Sequence, residues 1–405
     1  MPVALIGTGR ISDLNVLGYL NNHLCEVVAV ADRDVKRAER RLKKWGIPEA
    51  RAYESYERMV SHEDPVIVDV LTPHHLHAPM TLKLAEMGVP AISVQKPMAT
   101  TVHECQKMVD ACHDAGAKLK VYENFVFYPP YREAKRLIDA GAIGEPISVS
   151  VRTYSAAKGG WKVPLKTWLW RVKSEYCGGG PVVFDDGFHK FSVAYWLMGC
   201  RPVDRVWAWI DDGTFADTPA HVIFTFKDEG DGFQRGGTIE FTMGSHATWP
   251  SKYYSCDEFV DVVGTSGRLR VNQCTSGGNA LSQSPHFPPV VVVTEGKVVA
   301  HGLGLERDWS ASFRESTKHF VEVVVNDLPP LYTGEQGLLL TQFAKAPYVS
   351  AEERRPVSLD ELSPEWDAAG CNIGSKFSYR KFLGYALRVL RGPATKYQRA
   401  QANPR

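Results

Sequence analysis

Three short groups of residues define the chemistry open to this chain. Gly7-Thr8-Gly9-Arg10-Ile11 follows an apolar run and opens a helical pattern. Glycines at such a turn permit a tight bend and let backbone amides approach a pyrophosphate at the positive end of a helix. Asp32 ends the next β-branched run, where a carboxylate accepts hydrogen bonds from an adenosine ribose diol, so the pattern predicts NAD. Arg33 follows it and suits stacking on adenine or a 2′-phosphate, which leaves NADP open. Gln95-Lys96-Pro97 closes a later strand at the carboxyl edge of the sheet, where open α/β folds bind ligands. Asp185 and His189 lie four apart, a spacing that puts a carboxylate and an imidazole on one face of a helix start.

The elements that position these groups follow from hydrophobic period. Strands are predicted at 2–6, 27–31, 66–71, 91–94 and 119–121, with helices at 12–24, 35–44, 77–87 and 102–115 between them. That alternation is a doubly wound parallel sheet, a Rossmann domain over residues 1–122. After a helix at 129–140 the texture changes to long alternating strands at 147–154, 203–211, 219–227, 236–243 and 257–264, with an apolar helix at 187–198. The expected fold class is therefore α/β, with an α+β second domain (123–375) built on a large, mostly antiparallel sheet. Residues 376–405 carry eight Lys or Arg and no acid, and read as a basic surface helix or tail.

At the Gln95-Lys96-Pro97 position the chain resembles the Gfo/Idh/MocA family of nicotinamide-dependent sugar and cyclitol dehydrogenases, whose signature there is Glu-Lys-Pro. The resemblance extends through Asp32-Arg33-Asp34, Thr72-Pro73 with His74 and His77, Tyr122-Glu123-Asn124, Gly144-Glu145-Pro146, Asp185-x-Gly187-x-His189 and the segment from Ser350 to Val357. It implies cofactor contacts from the glycine turn, Asp32, Arg33, Thr72, Pro73, His74, His77, Gln95, Lys96, Pro97 and Asn124. It also implies hydride transfer from a secondary alcohol. Lys96 would hydrogen-bond the reacting oxygen, His189 would act as general base, and Asp185 would orient the sugar or the imidazole.

Three departures stand out. Gln95 replaces the usual Glu, Asp186 adds an acid beside Asp185, and one extra residue separates the glycine run 178–180 from Asp185. Tyr154, Lys158, Trp161, Lys166, Trp168, Trp170 and Arg171 fall where the family builds its substrate wall; aromatic planes and cationic donors suit the faces and hydroxyls of a sugar.

Composition limits the alternatives. The 405 residues are 44% hydrophobic and 23% charged, with 47 Lys plus Arg against 46 Asp plus Glu, so no basic field exists for nucleic acid. No run approaches a membrane span, and eight scattered cysteines without a CxxC pair suggest reduced thiols and a cytoplasmic protein. Tyr131-x-x-x-Lys135 mimics a short-chain dehydrogenase dyad but sits on the wrong element. His74, His75 and His77 lack the carboxylate or Cys partners of a zinc site, so no metal is expected. The partners expected are a small sugar, cyclitol or glycoside and further copies of the chain, as a dimer or tetramer. Two rival functions remain: glycoside cleavage assisted by transient oxidation with a recycled NAD, and a non-catalytic sensor of NAD and sugar.

Overall fold

The structure, a computed structural model, describes residues 1–162, 165–211, 216–272 and 287–368. The side chains of Lys166 and Trp168, and the basic segment 376–405, lie outside the described residues.

A six-stranded sheet is formed by β1 (Pro2–Ile6), β2 (Glu26–Ala31), β3 (Arg51–Tyr53), β4 (Ile67–Val70), β5 (Ala91–Gln95) and β6 (Lys118–Tyr122). Its helices are α1 (Ser12–Asn15), α2 (Val35–Trp45), α3 (Tyr56–Glu63), α4 (His77–Glu86) and α5 (Val102–Asp114). The strand order is β3-β2-β1-β4-β5-β6, and the pairs along it are parallel. Because helices cover both faces, Val3, Ala4, Leu5, Ile67, Val68 and Val70 are all fully buried. The order reverses between β1 and β4, which opens a crevice beyond their carboxyl ends. Asp34 caps α2 through Arg37 N, and Gly46 ends it in the left-handed region.

The expected helix at 12–24 is shorter. It is α1 continued by a 3₁₀ turn over Val16–Gly18. The reason is α10 (Ser310–Val325), which returns from the second half of the chain and lies against this turn. A Cβ on Gly18 would stand 2.4 Å from Thr317 Cβ, so only glycine permits the approach. Thr317 Oγ1 donates to the Asn15 carbonyl at 3.0 Å and fixes it.

Beyond α6 (Pro129–Asp139), a nine-stranded sheet is built from β7 (Pro146–Lys158), β8 (Val203–Ile210), β9 (Ala220–Phe226), β10 (Gly236–Thr248), β11 (Cys256–Gly264), β12 (Gly267–Asn272), β13 (Val290–Thr294), β14 (Lys297–His301) and β15 (Val357–Ser358). Its order is β14-β13-β12-β11-β7-β10-β9-β8-β15. The sheet is antiparallel apart from β7 and β10, which pair in parallel.

Three helices, α7 (Leu165–Arg171), α8 (Ser174–Cys177) and α9 (Phe188–Leu197), connect β7 to β8, and α11 (Gly334–Glu353) follows α10. Every residue of α9 is buried, and its polar members His189, Lys190 and Ser192 are paired with Glu123, Asp186 and the His189 carbonyl. Phe191 on α9 and Phe224 on β9 both pack on Phe343 of α11, which ties the sheet's inner face to the helices. The outer face follows strict alternation and leaves Trp207, Trp209 and Ile223 about half exposed.

Candidate active site

The dinucleotide end of the crevice is shaped by backbone. Gly7 has φ +95°, and a Cβ there would lie 2.8 Å from the Leu71 carbonyl oxygen. A Cβ on Gly9 would meet nothing within 4 Å, so the turn leaves open space beside its amides. Ser12, standing where a third glycine is usual, donates to the Gly9 carbonyl at 2.6 Å and braces the turn. At the end of β2, Asp32 accepts from Thr8 N and Oγ1 (2.8 and 2.7 Å), Asp34 N (2.9 Å) and Arg37 Nη2 (2.5 Å). Burial opposes the charge, but these donors hold the carboxyl below its usual value. The open turn and this fixed carboxylate fit the pyrophosphate and ribose of a dinucleotide.

Lys96 is placed by β5 and a cis Lys96–Pro97 peptide. Its Nζ donates to Asp185 Oδ1 at 2.9 Å and to the Asp185 carbonyl at 2.7 Å. An ammonium has three donors, so one is left beyond these two bonds. Asp185 is delivered by a π-helical turn over Pro181–Asp186, with bonds five residues apart from Asp185 N to Gly180 O (3.1 Å) and from Gly187 N to Val182 O (2.6 Å). A π-turn takes up one more residue than an α-turn, and this is where the extra residue noted in the sequence lies.

Asp217 clasps the start of that turn. Its carboxylate accepts from Val182 N (3.0 Å), Val183 N (2.9 Å) and the Tyr348 hydroxyl (2.6 Å). Asp185 Oδ2 also takes Arg171 Nε at 2.7 Å. Burial opposes ionisation of Asp185, but Lys96 and Arg171 win and hold its carboxyl well below the usual range.

His189 sits on the first turn of α9, 4% exposed and stacked on Phe125 at 3.9 Å between ring centroids. Its Nδ1 pairs with both carboxylate oxygens of the fully buried Glu123, at 2.7 and 2.9 Å. This fixes the proton on Nδ1 and leaves Nε2, which has no hydrogen bond among the described residues, as the basic nitrogen. Burial lowers the His189 pKa, Glu123 pulls it back up and Lys96 lowers it further; the balance falls below the usual value. The expectation that Asp185 orients the imidazole is thereby corrected. Glu123 does so, from the end of β6, while Asp185 is committed to Lys96 and Arg171.

The remaining expected residues divide. Trp170 stacks edge-on to His74 at 4.7 Å, and His74 is buried behind Asp185 with Nε2 3.5 Å from Oδ1. Burial drives the His74 pKa to about 3, so the ring is neutral. His77 bridges the Pro97 and Thr72 carbonyls at 2.9 and 2.8 Å and so joins the turns after β4 and β5. Gln95 folds back to accept from Lys96 N at 3.1 Å. Asn124 donates to Ser312 on α10 at 2.8 Å. Arg10 leaves the glycine turn, donates to the Lys162 carbonyl at 2.8 Å and lies 5.1 Å over the Trp161 ring. Arg33 is exposed, as is Lys158 at the end of β7. Tyr154 does not face the site: strand parity turns it to the outer face of the sheet, 41% exposed against Phe259. Tyr254, which no motif marks, lies in the field of Arg171, Lys96 and Asp185 and packs on Trp161 and Trp309.

Lys96, Asp185 and the His189–Glu123 pair thus gather at the carboxyl edge of the Rossmann sheet, where open α/β folds bind ligands. Residues 1–123 match the model for the oxidoreductase family Gfo/Idh/MocA, NAD-binding Rossmann fold, and residues 131–270 match the C-terminal domain of the same family. The chain belongs to this family. It is 27% identical over 372 residues to a D-xylose 1-dehydrogenase [NADP(+)] of Haloarcula marismortui, covering 88% of this chain and 92% of that one. A 2,7-anhydro-N-acetylneuraminate hydratase of Mediterraneibacter gnavus is 28% identical over 224 residues, 55% of each chain. Among solved structures, an oxidoreductase from Agrobacterium radiobacter in complex with NAD+, L-tartaric acid and magnesium superposes with a TM-score of 0.73 at 20% identity, over 89% of this chain and 99% of that one. No helix of the described residues is long and apolar enough to cross a membrane.

Proposed function

We propose that the chain oxidises a secondary hydroxyl of a sugar, cyclitol or glycoside, with Lys96 and His189 as the groups that act on the reacting hydroxyl. The observation that carries this reading is the His189–Glu123 pair, whose free Nε2 belongs to an imidazole kept neutral by burial in the same charged cluster as Lys96 and Asp185. Bound nicotinamide would supply the hydride acceptor, and the glycine turn and Asp32 would hold its dinucleotide. The spare donor of Lys96 bonds the substrate oxygen and stabilises negative charge as it develops there. His189 Nε2 receives the hydroxyl proton, and the Glu123 carboxylate balances the imidazolium that forms. Asp185 keeps the ammonium aimed, and Asp217 with Tyr348 keeps Asp185 in place.

The similarity to a hydratase supports a second reading, in which the hydride returns after a bond is broken and NAD is recycled. Incubation of the protein and NAD with a panel of free sugars, cyclitols and O- and C-glycosides separates the two. A product lacking one hydrogen pair, with NADH accumulating, supports the dehydrogenase; a released aglycone with NAD unchanged supports the second reading. Homo-oligomerisation is proposed through the open face that carries Trp207, Trp209 and Ile223, whose exposed indoles suit burial against a second copy.

A further inference from the structure

Arg171 presents an unfilled set of donors to the site. It lies at the end of α7 with its side chain 25% exposed and its guanidinium carbon 4.4 Å over the Trp170 ring. Its one hydrogen bond among the described residues is Nε to Asp185 Oδ2, at 2.7 Å. A guanidinium carries five N–H groups, so the four on the two terminal nitrogens have no protein acceptor there. The Nε bond and the Trp170 face fix the plane of the group, so the terminal edge is preorganised.

The acid that acts on Arg171 is Asp185, and the other acids of the site are committed elsewhere. Asp186 pairs with Lys190 at 2.9 Å, Glu123 with His189, and Asp185 is shared between Lys96 and Arg171 itself. The Tyr254 hydroxyl makes no hydrogen bond among the described residues. Burial raises its pKa and the fields of Arg171 and Lys96 lower it, so it stays a neutral donor beside the same edge.

This planar fork of donors, beside a carboxylate already shared between Lys96 and Nε, finds only one acceptor oxygen in a sugar hydroxyl. It suits an acceptor-only, planar group. We propose that the substrate is a carboxylated sugar, a uronate or related sugar acid, whose carboxylate pairs end-on with the terminal nitrogens of Arg171. This rests on reading the site as that of a sugar oxidoreductase. The entering carboxylate meets two cations, Lys96 and Arg171, against the single charge of Asp185.

The test is calorimetric binding to the NAD-loaded full-length protein of matched ligands: methyl glucuronoside, methyl galacturonoside, their uronamides and the neutral methyl glycosides. At least one uronate is expected to bind about tenfold or more tightly than both its amide and its neutral counterpart. Arg171→Lys keeps a positive charge beside Asp185 but loses the fork; the ratio of uronate to neutral-glycoside affinity, both measured in the same variant, is expected to fall to within about twofold of one. Amide or neutral ligands that bind as well as every uronate would overturn the proposal, and this comparison needs no variant to fold. A preference unchanged in Arg171→Lys would overturn it too. NADH formation, read separately, reports on the oxidoreductase reading: turnover without carboxylate preference refutes only the present inference, and carboxylate preference without hydride transfer from any ligand refutes only the catalytic one.

Discussion

Glu123→Gln isolates the electrostatic part of the base. The substitution keeps the size of the side chain and leaves one oxygen to accept from His189 Nδ1, but removes the charge that faces it at 2.7 Å. Hydrogen bonds to charged groups contribute about 1.5–3 kcal/mol. At 1.36 kcal/mol per pKa unit that is about one to two units on His189, and up to about ten- to a hundredfold in the step that forms imidazolium. The sign follows from the two protonation states. Glu123 stabilises the charged imidazole, so in the parent it raises a pKa that burial has already lowered. Its loss lowers that pKa further. Activity that requires neutral His189 rises with pH through this pKa, so the acid limb of kcat should move to lower pH while the plateau falls. The assay is NADH formation against pH with the best substrate of the panel. A limb that moves upward, or a variant with unchanged limb and plateau, would refute the assignment of His189 and Glu123.

Lys96→Ala should lower turnover by about two to four orders of magnitude while changing NAD affinity little, measured by steady-state kinetics and by calorimetry with NAD alone. Asp32→Ser removes the carboxylate that opposes a 2′-phosphate and leaves Arg33 and Arg37, so the NAD-to-NADP preference in kcat/KM should fall by about tenfold or more. Asp217→Asn must turn an amide donor toward one of Val182 N, Val183 N or the Tyr348 hydroxyl; about 1–3 kcal/mol of stability should be lost in denaturant titration, with a fall in kcat as Asp185 loosens. Arg10→Ala cuts the bridge from the glycine turn to Trp161 and the Lys162 carbonyl, and NAD should dissociate faster in stopped-flow fluorescence.

Much of the first sheet was legible because its strands are short, mainly apolar runs alternating with helical segments, even though β4 and β6 carry the buried Asp69 and Lys120 and α1 and α4 have no side-chain cap. β3 escaped because it is three residues long, and α3 with it. The helix α11 escaped because burial on several sides thins the polar stripe that marks a surface helix, and it contains Gly337 and Pro347; α10 keeps a polar stripe at Arg314, Glu315, Lys318 and Glu322, but Ser312, Ser316 and Thr317 on its buried face blur the apolar period.

At the site, Lys96, Asp185 and His189 were marked by their places at strand and helix ends, and the structure brings them together. Glu123 stood in the motif after β6 without a role, because its partner is 66 residues away and the packing of α9 on the 3₁₀ turn Phe125–Phe127 after β6 joins them. The π-turn left a trace as one surplus residue, but its bonding pattern has no side-chain signature. Tyr154 was misread because its neighbours drew attention to the loop, whereas β7 continues to Lys158 and keeps the alternation that sends Thr153 in and Tyr154 out.

The central claim is transfer of a hydride from a carbinol carbon. It is tested most directly with a substrate from the panel deuterated at the carbon oxidised, followed by mass spectrometry of the recovered nicotinamide. The account predicts deuterium on the reduced ring, a slowed single turnover, and loss of both signals in Lys96→Ala. Deuterium released to solvent, with the nicotinamide unlabelled and unreduced throughout the turnover, would contradict it.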